Sequence, residues 1–281
     1  MPYPKSPIKW VGGKHKLLPK ILSQFPKNIN NYHELFIGGG SVLLGLLTEI
    51  NNNNNINVKG KIRAYDSNPI LIEFYKHLQK DWKNIYNTVK KIIRAGEKCD
   101  KKEYYYYIRN LYNNRKDIDI SRIAEFIYLN KTGFRGLFRL NQSGGYNVPY
   151  GNYKNPQIIN DKHLKEISEL IKNVEFICCD FQKVEKDFNH DDFIYMDPPY
   201  VPEVKNGFVN YSSSGFNENI HKTLFKFTNQ LKCKFIMSNS NTELVKTELK
   251  NHVFIEIEAR RAINSKNPES KVKELIIHNL K

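Results

Sequence analysis

Tyr32-His33-Glu34-Leu35-Phe36-Ile37-Gly38-Gly39-Gly40-Ser41-Val42-Leu43-Leu44-Gly45-Leu46-Leu47 decides the fold class. Tyr32 to Ile37 reads as a strand, the three glycines as a tight turn, and Val42, Leu43, Leu46 and Leu47 as the apolar face of the helix that follows. The same alternation recurs downstream. Ile62 to Tyr65 ends at Asp66 and gives way to a helix over Pro69 to Leu78; Glu175 to Cys179 ends at Asp180-Phe181; Asp192 to Met196 ends at Asp197-Pro198-Pro199-Tyr200. A polar loop, 201 to 215, leads to a helix over Asn219 to Leu231, a strand over Lys234 to Ser238 and a helix over Thr242 to Leu249. Two alternating segments, His252 to Glu258 and Val272 to Asn279, suit an antiparallel edge. Strands alternating with helices predict an α/β domain with a mainly parallel sheet.

Between these halves the pattern changes. Residues 81 to 130 read as helical and basic, with eleven basic and four acidic side chains from 80 to 116. Tyr104 to Tyr107 reads as helix packing, because consecutive helical residues point in different directions. Residues 131 to 155 carry four basic, five aromatic and no acidic residues. Ser143-Gly144-Gly145 supplies a turn between Phe138-Arg139-Leu140 and Tyr146-Asn147-Val148, predicting an exposed β-hairpin of a width that enters a DNA major groove. Asn51 to Asn55 reads as a solvated loop.

Composition narrows the function. With 40% hydrophobic and 26% charged residues the chain is a folded one, and its formal net charge of +15 points to a polyanionic partner, nucleic acid first and an anionic membrane surface second. No apolar run approaches the roughly 20 residues of a membrane span, and the first residues lack a signal-peptide core, so the protein is expected inside the cell with its DNA, in cytoplasm or nucleoid, or in an infected host if viral. Cys99, Cys178, Cys179 and Cys233 form no CxxC pair, predicting ordinary buried thiols and no metal. Gly12-Gly13-Lys14 lacks the glycine and hydroxyl spacing of a phosphate loop, which disfavours ATP hydrolysis.

Gly38 to Gly40 falls short of a full dinucleotide fingerprint, but with Asp66 at the next strand end it suits an adenosine-containing cofactor. Asp66 reads equally as a helix cap. Asp197-Pro198-Pro199-Tyr200 is the most informative tetrapeptide. Two prolines stop the strand and hold the carboxylate and phenol in a rigid turn, where Asp197 and the Pro198 carbonyl can accept an amino group's two hydrogens and Tyr200 can stack on its ring.

Taken in order, Pro7-Ile8-Lys9-Trp10-Val11-Gly12-Gly13-Lys14, Glu34 to Ser41, Asp66-Ser67-Asn68, residues 131 to 151, Asp180-Phe181, Asp197 to Tyr200, Ser238-Asn239-Ser240-Asn241 and Arg260-Arg261-Ala262-Ile263 make the chain resemble the Dam-like, D12-class adenine-N6 DNA methyltransferases of the α group. The resemblance implies a Rossmann-like S-adenosylmethionine-dependent methyltransferase sheet with helices on both faces, plus a helical and β-hairpin target-recognition insertion. On that reading residues 1 to 80 and 161 to 281 form the cofactor-binding and catalytic parts, and 81 to 160 the insertion. It further implies that Trp10, Lys14, Phe36, Gly38, Gly39, Gly40, Asp66, Asp180 and Phe181 hold S-adenosylmethionine, released as S-adenosylhomocysteine. Asp197, Pro198 and Tyr200 then act on the N6 of a flipped adenine by direct methyl transfer. Phe134 matches an aromatic that wedges beside the flipped base, Arg139 a guanine reader, and Leu137 and Pro149 residues near a thymine; Arg135 and Asn141 complete the DNA-facing set. Position 135 departs from the family's usual Asn, so a GATC-like site is only a first expectation. The implied partner is double-stranded DNA, bound by a monomer or weak dimer, in a restriction-modification setting. A cytosine-N4 or RNA adenine methyltransferase, or a DNA-binding homologue without catalysis, would share much of this pattern.

Overall fold

The strand beginning at Tyr32 lies inside a seven-stranded sheet, covered on both sides. The computed structural model describes residues 3–52, 56–184, 188–203, 216–260 and 271–280. Its sheet strands are β1 (Tyr32–Glu34), β2 (Ile62–Asp66), β3 (Val174–Cys178), β4 (Phe193–Met196), β5 (Lys234–Ser240), β6 (Val253–Arg260) and β7 (Lys271–His278), in the order β3-β2-β1-β4-β5-β7-β6. The first five run parallel, and β7 runs antiparallel to both neighbours, giving the expected edge. Beyond Glu34 the chain keeps company with the sheet through Ile37, since Leu35 N–H donates to the Tyr195 carbonyl and Ile37 N–H to that of Tyr65.

Helices α1 (Leu18–Leu22), α2 (Ser41–Asn51), α3 (Pro69–Ala95), α4 (Lys101–Asn114), α5 (Ile120–Thr132), α6 (Asp161–Leu170), α7 (Glu218–Gln230) and α8 (Glu243–Glu248) pack around it. Side chains alternate across a strand, so β4 serves two cores at once. Phe193 and Tyr195 join an apolar cluster with Leu43, Phe74 and Phe126, while Ile194 and Met196 join another with Phe225, Met237 and Val245. Because β1 pairs with both β2 and β4, chain order reverses there, and α/β sheets open a ligand crevice at the carboxyl ends beside such a reversal.

Two expectations need correction, the end of one helix and the burial of the cysteines. The helix expected to stop at Leu78 continues to Ala95 with a kink at Asp81 (φ −154°, ψ 77°), because buried Ile85 and Val89 extend its apolar stripe. The kink coincides with the expected division at 80/81, yet Ile85, Val89, Ile108 and Phe126 share one core with Tyr32 and Leu43. The expected hairpin is present in reduced form. Antiparallel bridges join Gly133 to Tyr150 and Leu140 to Tyr146, Asn141 N–H donates to the Gly145 carbonyl and Asn147 N–H to that of Arg139, and a 3₁₀ turn occupies Phe134–Gly136. Its returning limb packs on α4, where Tyr146 and Val148 are buried: Tyr105 Oη donates to the Val148 carbonyl (2.9 Å) and Tyr146 N–H to Asn113 Oδ1 (2.8 Å). Of the cysteines only Cys233 is buried; Cys99 lies in the turn after α3, Cys178 ends the outermost strand β3, and both are exposed, with Cys179 intermediate. The tyrosine run behaves as expected, Tyr104 and Tyr105 facing the core and Tyr107 facing solvent. Asn53 to Asn55, most of the 201–215 loop and Arg261-Ala262-Ile263 lie outside the described residues.

Candidate active site

The crevice is lined first by the turn after β1. Gly38 (φ +48°) and Gly40 (φ +69°) are left-handed, a conformation that costs glycine little. Side chains are excluded for a second reason. A Cβ on Gly38 would stand 2.8 Å from Trp10 Cδ1, and one on Gly39 2.9 Å from Trp10 Cβ, so the Trp10 ring lies directly on the turn. A Cβ on Gly40 would stand 2.7 Å from Tyr75 Oη. Gly40→Ala is therefore expected to cost about 1–3 kcal/mol of stability and to weaken cofactor binding, read by urea unfolding and by cofactor titration.

Asp66, at the tip of β2, secures the turn. Its Oδ2 accepts the Gly38 N–H (3.0 Å) and its Oδ1 the Asn68 N–H (2.9 Å). Burial raises the Asp66 pKa, and those two donors oppose the rise. The cap of α3 is Asn68, whose Oδ1 accepts the Ile70 N–H, so Asp66 is not the capping side chain. After β3, Asp180 Oδ1 accepts the Gln182 N–H (2.9 Å) and turns the chain so that Phe181 packs 5.7 Å from Phe36 and 6.3 Å from Phe227, ring centre to ring centre.

Asp197 to Tyr200 follow β4 and are fastened from three sides. Buried Lys14 places Nζ 2.8 Å from Asp197 Oδ2 and 2.6 Å from the Gly12 carbonyl, 4.9 Å from the centre of the Tyr200 ring. Tyr200 Oη donates to Glu274 Oε2 (3.0 Å). Val201 N–H donates to Asn239 Oδ1 (3.2 Å), and Ser240 Oγ donates to the Val201 carbonyl (2.6 Å). Burial pushes the Asp197 carboxyl up from its ordinary value and Lys14 pulls it back. Among the described residues, the other oxygen, Oδ1, is buried without a hydrogen-bond partner. A buried acceptor left unmet is costly and marks a place for a donor from outside the chain.

Lys14, expected among the cofactor residues, has its ammonium on Asp197. Two carboxylates of the site were not among the expected residues. Glu274 reaches the site only through the register of β7, which nothing in its own segment reveals. Glu34 was legible as an acidic residue inside an apolar strand. Buried on β1, it accepts the Tyr32 Oη hydrogen bond (2.6 Å), and burial holds its pKa at about 8 against that bond. A carboxyl whose folded pKa lies above its unfolded value stabilises the fold most at acid pH, and that contribution is lost as pH rises through the folded pKa. Stability is accordingly expected to decline from about pH 5 to pH 9 in urea unfolding, and Glu34→Gln to flatten that decline.

The expected DNA-facing residues gather on the loop after α5. Phe134 is 43% exposed, and its N–H donates to the carbonyl of exposed Pro149 (2.8 Å). Arg135 is left-handed (φ +55°) with its guanidinium 5.3 Å from the Phe134 ring centre, and Leu137 is half-buried. Exposed Arg139 is braced by Asn147, through Nε to Oδ1 (2.7 Å) and Nη2 to the carbonyl (3.1 Å). Asn141 uses its oxygen within the turn, accepting from Gly145 N–H and Ser143 Oγ, both at 2.8 Å.

One missed residue joins this loop to the crevice. Buried Asn130 accepts the Lys9 N–H (2.8 Å) and donates to the Lys9 carbonyl (2.7 Å), a reciprocal pair like a β-bridge. Lys9 Nζ lies 4.1 Å from the Tyr153 ring centre, and Trp10 lies 5.6 Å from Phe138. The segment carrying Trp10 and Lys14 is thus clamped to α5 and the loop after it at one end and to Asp197 at the other.

This sheet, with a glycine turn, an anchored acid and an unmet carboxylate oxygen at its carboxyl edge, has the form of an α/β enzyme with its ligand crevice at the strand ends. Residues 10–263 match the family model for the D12 class N6 adenine-specific DNA methyltransferases, and the chain belongs to that family. It is similar to the Type II methyltransferase M.MjaIII of Methanocaldococcus jannaschii (36% identical, covering 97% of this chain and 98% of the relative). It is also similar to the DNA adenine methylases of Haemophilus influenzae (32%, covering 96% and 91%) and Escherichia coli K12 (29%, covering 96% and 93%). It is therefore a site-specific adenine-N6 DNA methyltransferase, S-adenosylmethionine-dependent, with DNA as its substrate. No helix among the described residues is long and apolar enough to cross a membrane, and no group of His, Cys, Asp or Glu among them could hold a metal. The donor set fits the cofactor: backbone approach at the side-chain-free glycine turn, a carboxylate at Asp66 and aromatic faces at Phe36 and Phe181.

Proposed function

We propose that the chain methylates N6 of an adenine flipped out of double-stranded DNA, with Asp197, Pro198 and Tyr200 receiving the base. The observation that carries this is the buried Asp197 Oδ1, which has no partner among the described residues, beside an Oδ2 held by Lys14 and a Tyr200 hydroxyl held by Glu274. Adenine N6 is a weak nucleophile because its lone pair is delocalised into the ring. Two acceptors, Asp197 Oδ1 and the Pro198 carbonyl, favour the pyramidal amine in which that lone pair is localised, and so act more strongly in the transition state than in the ground state. Tyr200 holds the base by its ring face, and the tied turn supplies orientation. Lys14 opposes the upward push that burial gives the Asp197 pKa and so favours the ionised carboxylate. S-adenosylmethionine, when bound, supplies an electrophilic methyl group and leaves as S-adenosylhomocysteine. Trp10, Lys14, Phe36, Gly38, Gly39, Gly40, Asp66, Asp180 and Phe181 would hold it.

On the DNA side, residues 81 to 160 serve target recognition. Phe134 fills the gap in the stack, Arg135, Leu137, Arg139 and Pro149 meet base edges, and Asn141 shapes the turn that presents them. Flipping costs a few kcal/mol, which basic side chains on α3, α4 and the loop offset through phosphate contacts, making binding steeply salt-dependent. A GATC-like site is the first candidate, with Arg135 the position most able to alter it. A monomer or weak dimer acting inside the cell, in a restriction-modification setting, completes the reading.

The test is expression in a host without adenine methylation, followed by mapping of modified bases in plasmid DNA. N6-methyladenine at one short motif is expected. Unmodified adenine throughout, from soluble protein, would overturn the reading.

A further inference from the structure

Glu274 enters the base pocket from the far side of the sheet, and none of the roles assigned above uses it. β7 arrives there by running back between β5 and β6, which sets Glu274 opposite Ser240 and Ile257. Half-buried in that position, its Oε2 accepts the Tyr200 hydroxyl at 3.0 Å. The charged groups around the Glu274 carboxylate are Lys14, which favours its ionised form, and Asp197 and Glu203, which oppose it. Burial, with Asp197 and Glu274 adding to it, raises the Tyr200 phenol well above its ordinary pKa, so the phenol keeps its proton and serves as donor. The next residue, Val201, is held by the neighbouring strand β5, through Asn239 and Ser240. Tyr200 is thus held at both its backbone neighbour and its hydroxyl.

Building on the reading of Asp197 to Tyr200 as the base pocket, we propose that Glu274 is a positioning residue of the methyl-transfer site. By accepting the Tyr200 hydroxyl it fixes the phenol ring as a wall of the pocket, so that the adenine is received in one orientation relative to Asp197. Hydrogen bonds to a carboxylate are roughly twice as strong as those between neutral groups. Small misplacements at a reacting centre are costly in rate, so loss of this bond reaches the chemistry without touching the cofactor.

The test is a double-mutant cycle on the full chain, read as the single-turnover methylation rate on plasmid DNA that the wild-type enzyme modifies, with DNA affinity measured in parallel. Glu274→Ala is expected to lower the rate about tenfold with DNA affinity unchanged. Tyr200→Phe, which deletes the same bond from the other end, should lower it comparably, and the double variant should be no slower than Tyr200→Phe alone. Glu274→Gln keeps an acceptor of the same shape and should restore most of the rate; if Glu274→Ala does not fold, the cycle runs with Gln, its smaller loss again vanishing in the Tyr200→Phe background. A Glu274 variant as fast as wild type in the Ala form, or losses that multiply in the double variant, overturns the proposal. With wild type active and Asp197→Ala inert, that failure falls on Glu274 alone; an active Asp197→Ala would instead sink the base-pocket reading beneath it.

Discussion

Asp197→Ala is expected to reduce methyl transfer by about three orders of magnitude while leaving cofactor and DNA binding in place. The substitution deletes the buried carboxylate oxygen that lacks a partner among the described residues and leaves Lys14 without its anion. Only the amine in its pyramidal form gains fully from two acceptors, so the loss belongs in kcat more than in KM. Asp197→Asn keeps the shape and a carbonyl acceptor but not the charge, and should fall between the two. Burst and single-turnover measurements on a mapped site distinguish this from a binding defect. An Asp197→Ala enzyme with ordinary turnover would remove Asp197 from the chemistry.

Lys14→Met should act on both stability and pH dependence. Removing one partner of a buried pair leaves an uncompensated charge, at a cost of about 3 kcal/mol in urea unfolding. Without the ammonium at 2.8 Å, burial drives the Asp197 pKa further upward. The sign follows from linkage: a carboxyl with a raised folded pKa stabilises at acid pH and loses that contribution as pH rises through the folded value, so the deficit of Lys14→Met grows with pH. Activity needs Asp197 ionised, and the acid limb of its pH–rate profile should therefore move to higher pH. A variant with the wild-type acid limb would show that Lys14 does not set the charge state of Asp197.

Most of the site's chemistry was legible because it is local. Glycines at Gly38 to Gly40 and the proline pair after Asp197 act through φ and through missing side chains or donors, properties a residue carries wherever it stands. Strand identities were legible for the same reason, since continuous apolar runs such as Phe193 to Met196 must be covered on both faces. What was not legible lay where a segment meets a distant partner. Tyr146 and Val148 lie on the returning limb of the hairpin but bury their side chains on α4, and the stripe of Ile85 and Val89 carries α3 past its expected end.

By itself the sequence determined the α/β alternation, the three strand-end motifs, the basic insertion and the family to which their order belongs. Only the tertiary structure decided what meets at the crevice: Lys14 on Asp197, Glu274 under Tyr200, Asn130 on Lys9, and Trp10 over the glycine turn. Backbone preference and apolar period are properties of short segments and can be read one residue after another. Pairing across the sheet depends on register and crossover, which place Glu274 beside a residue 74 positions away, and only burial of the whole core selects them.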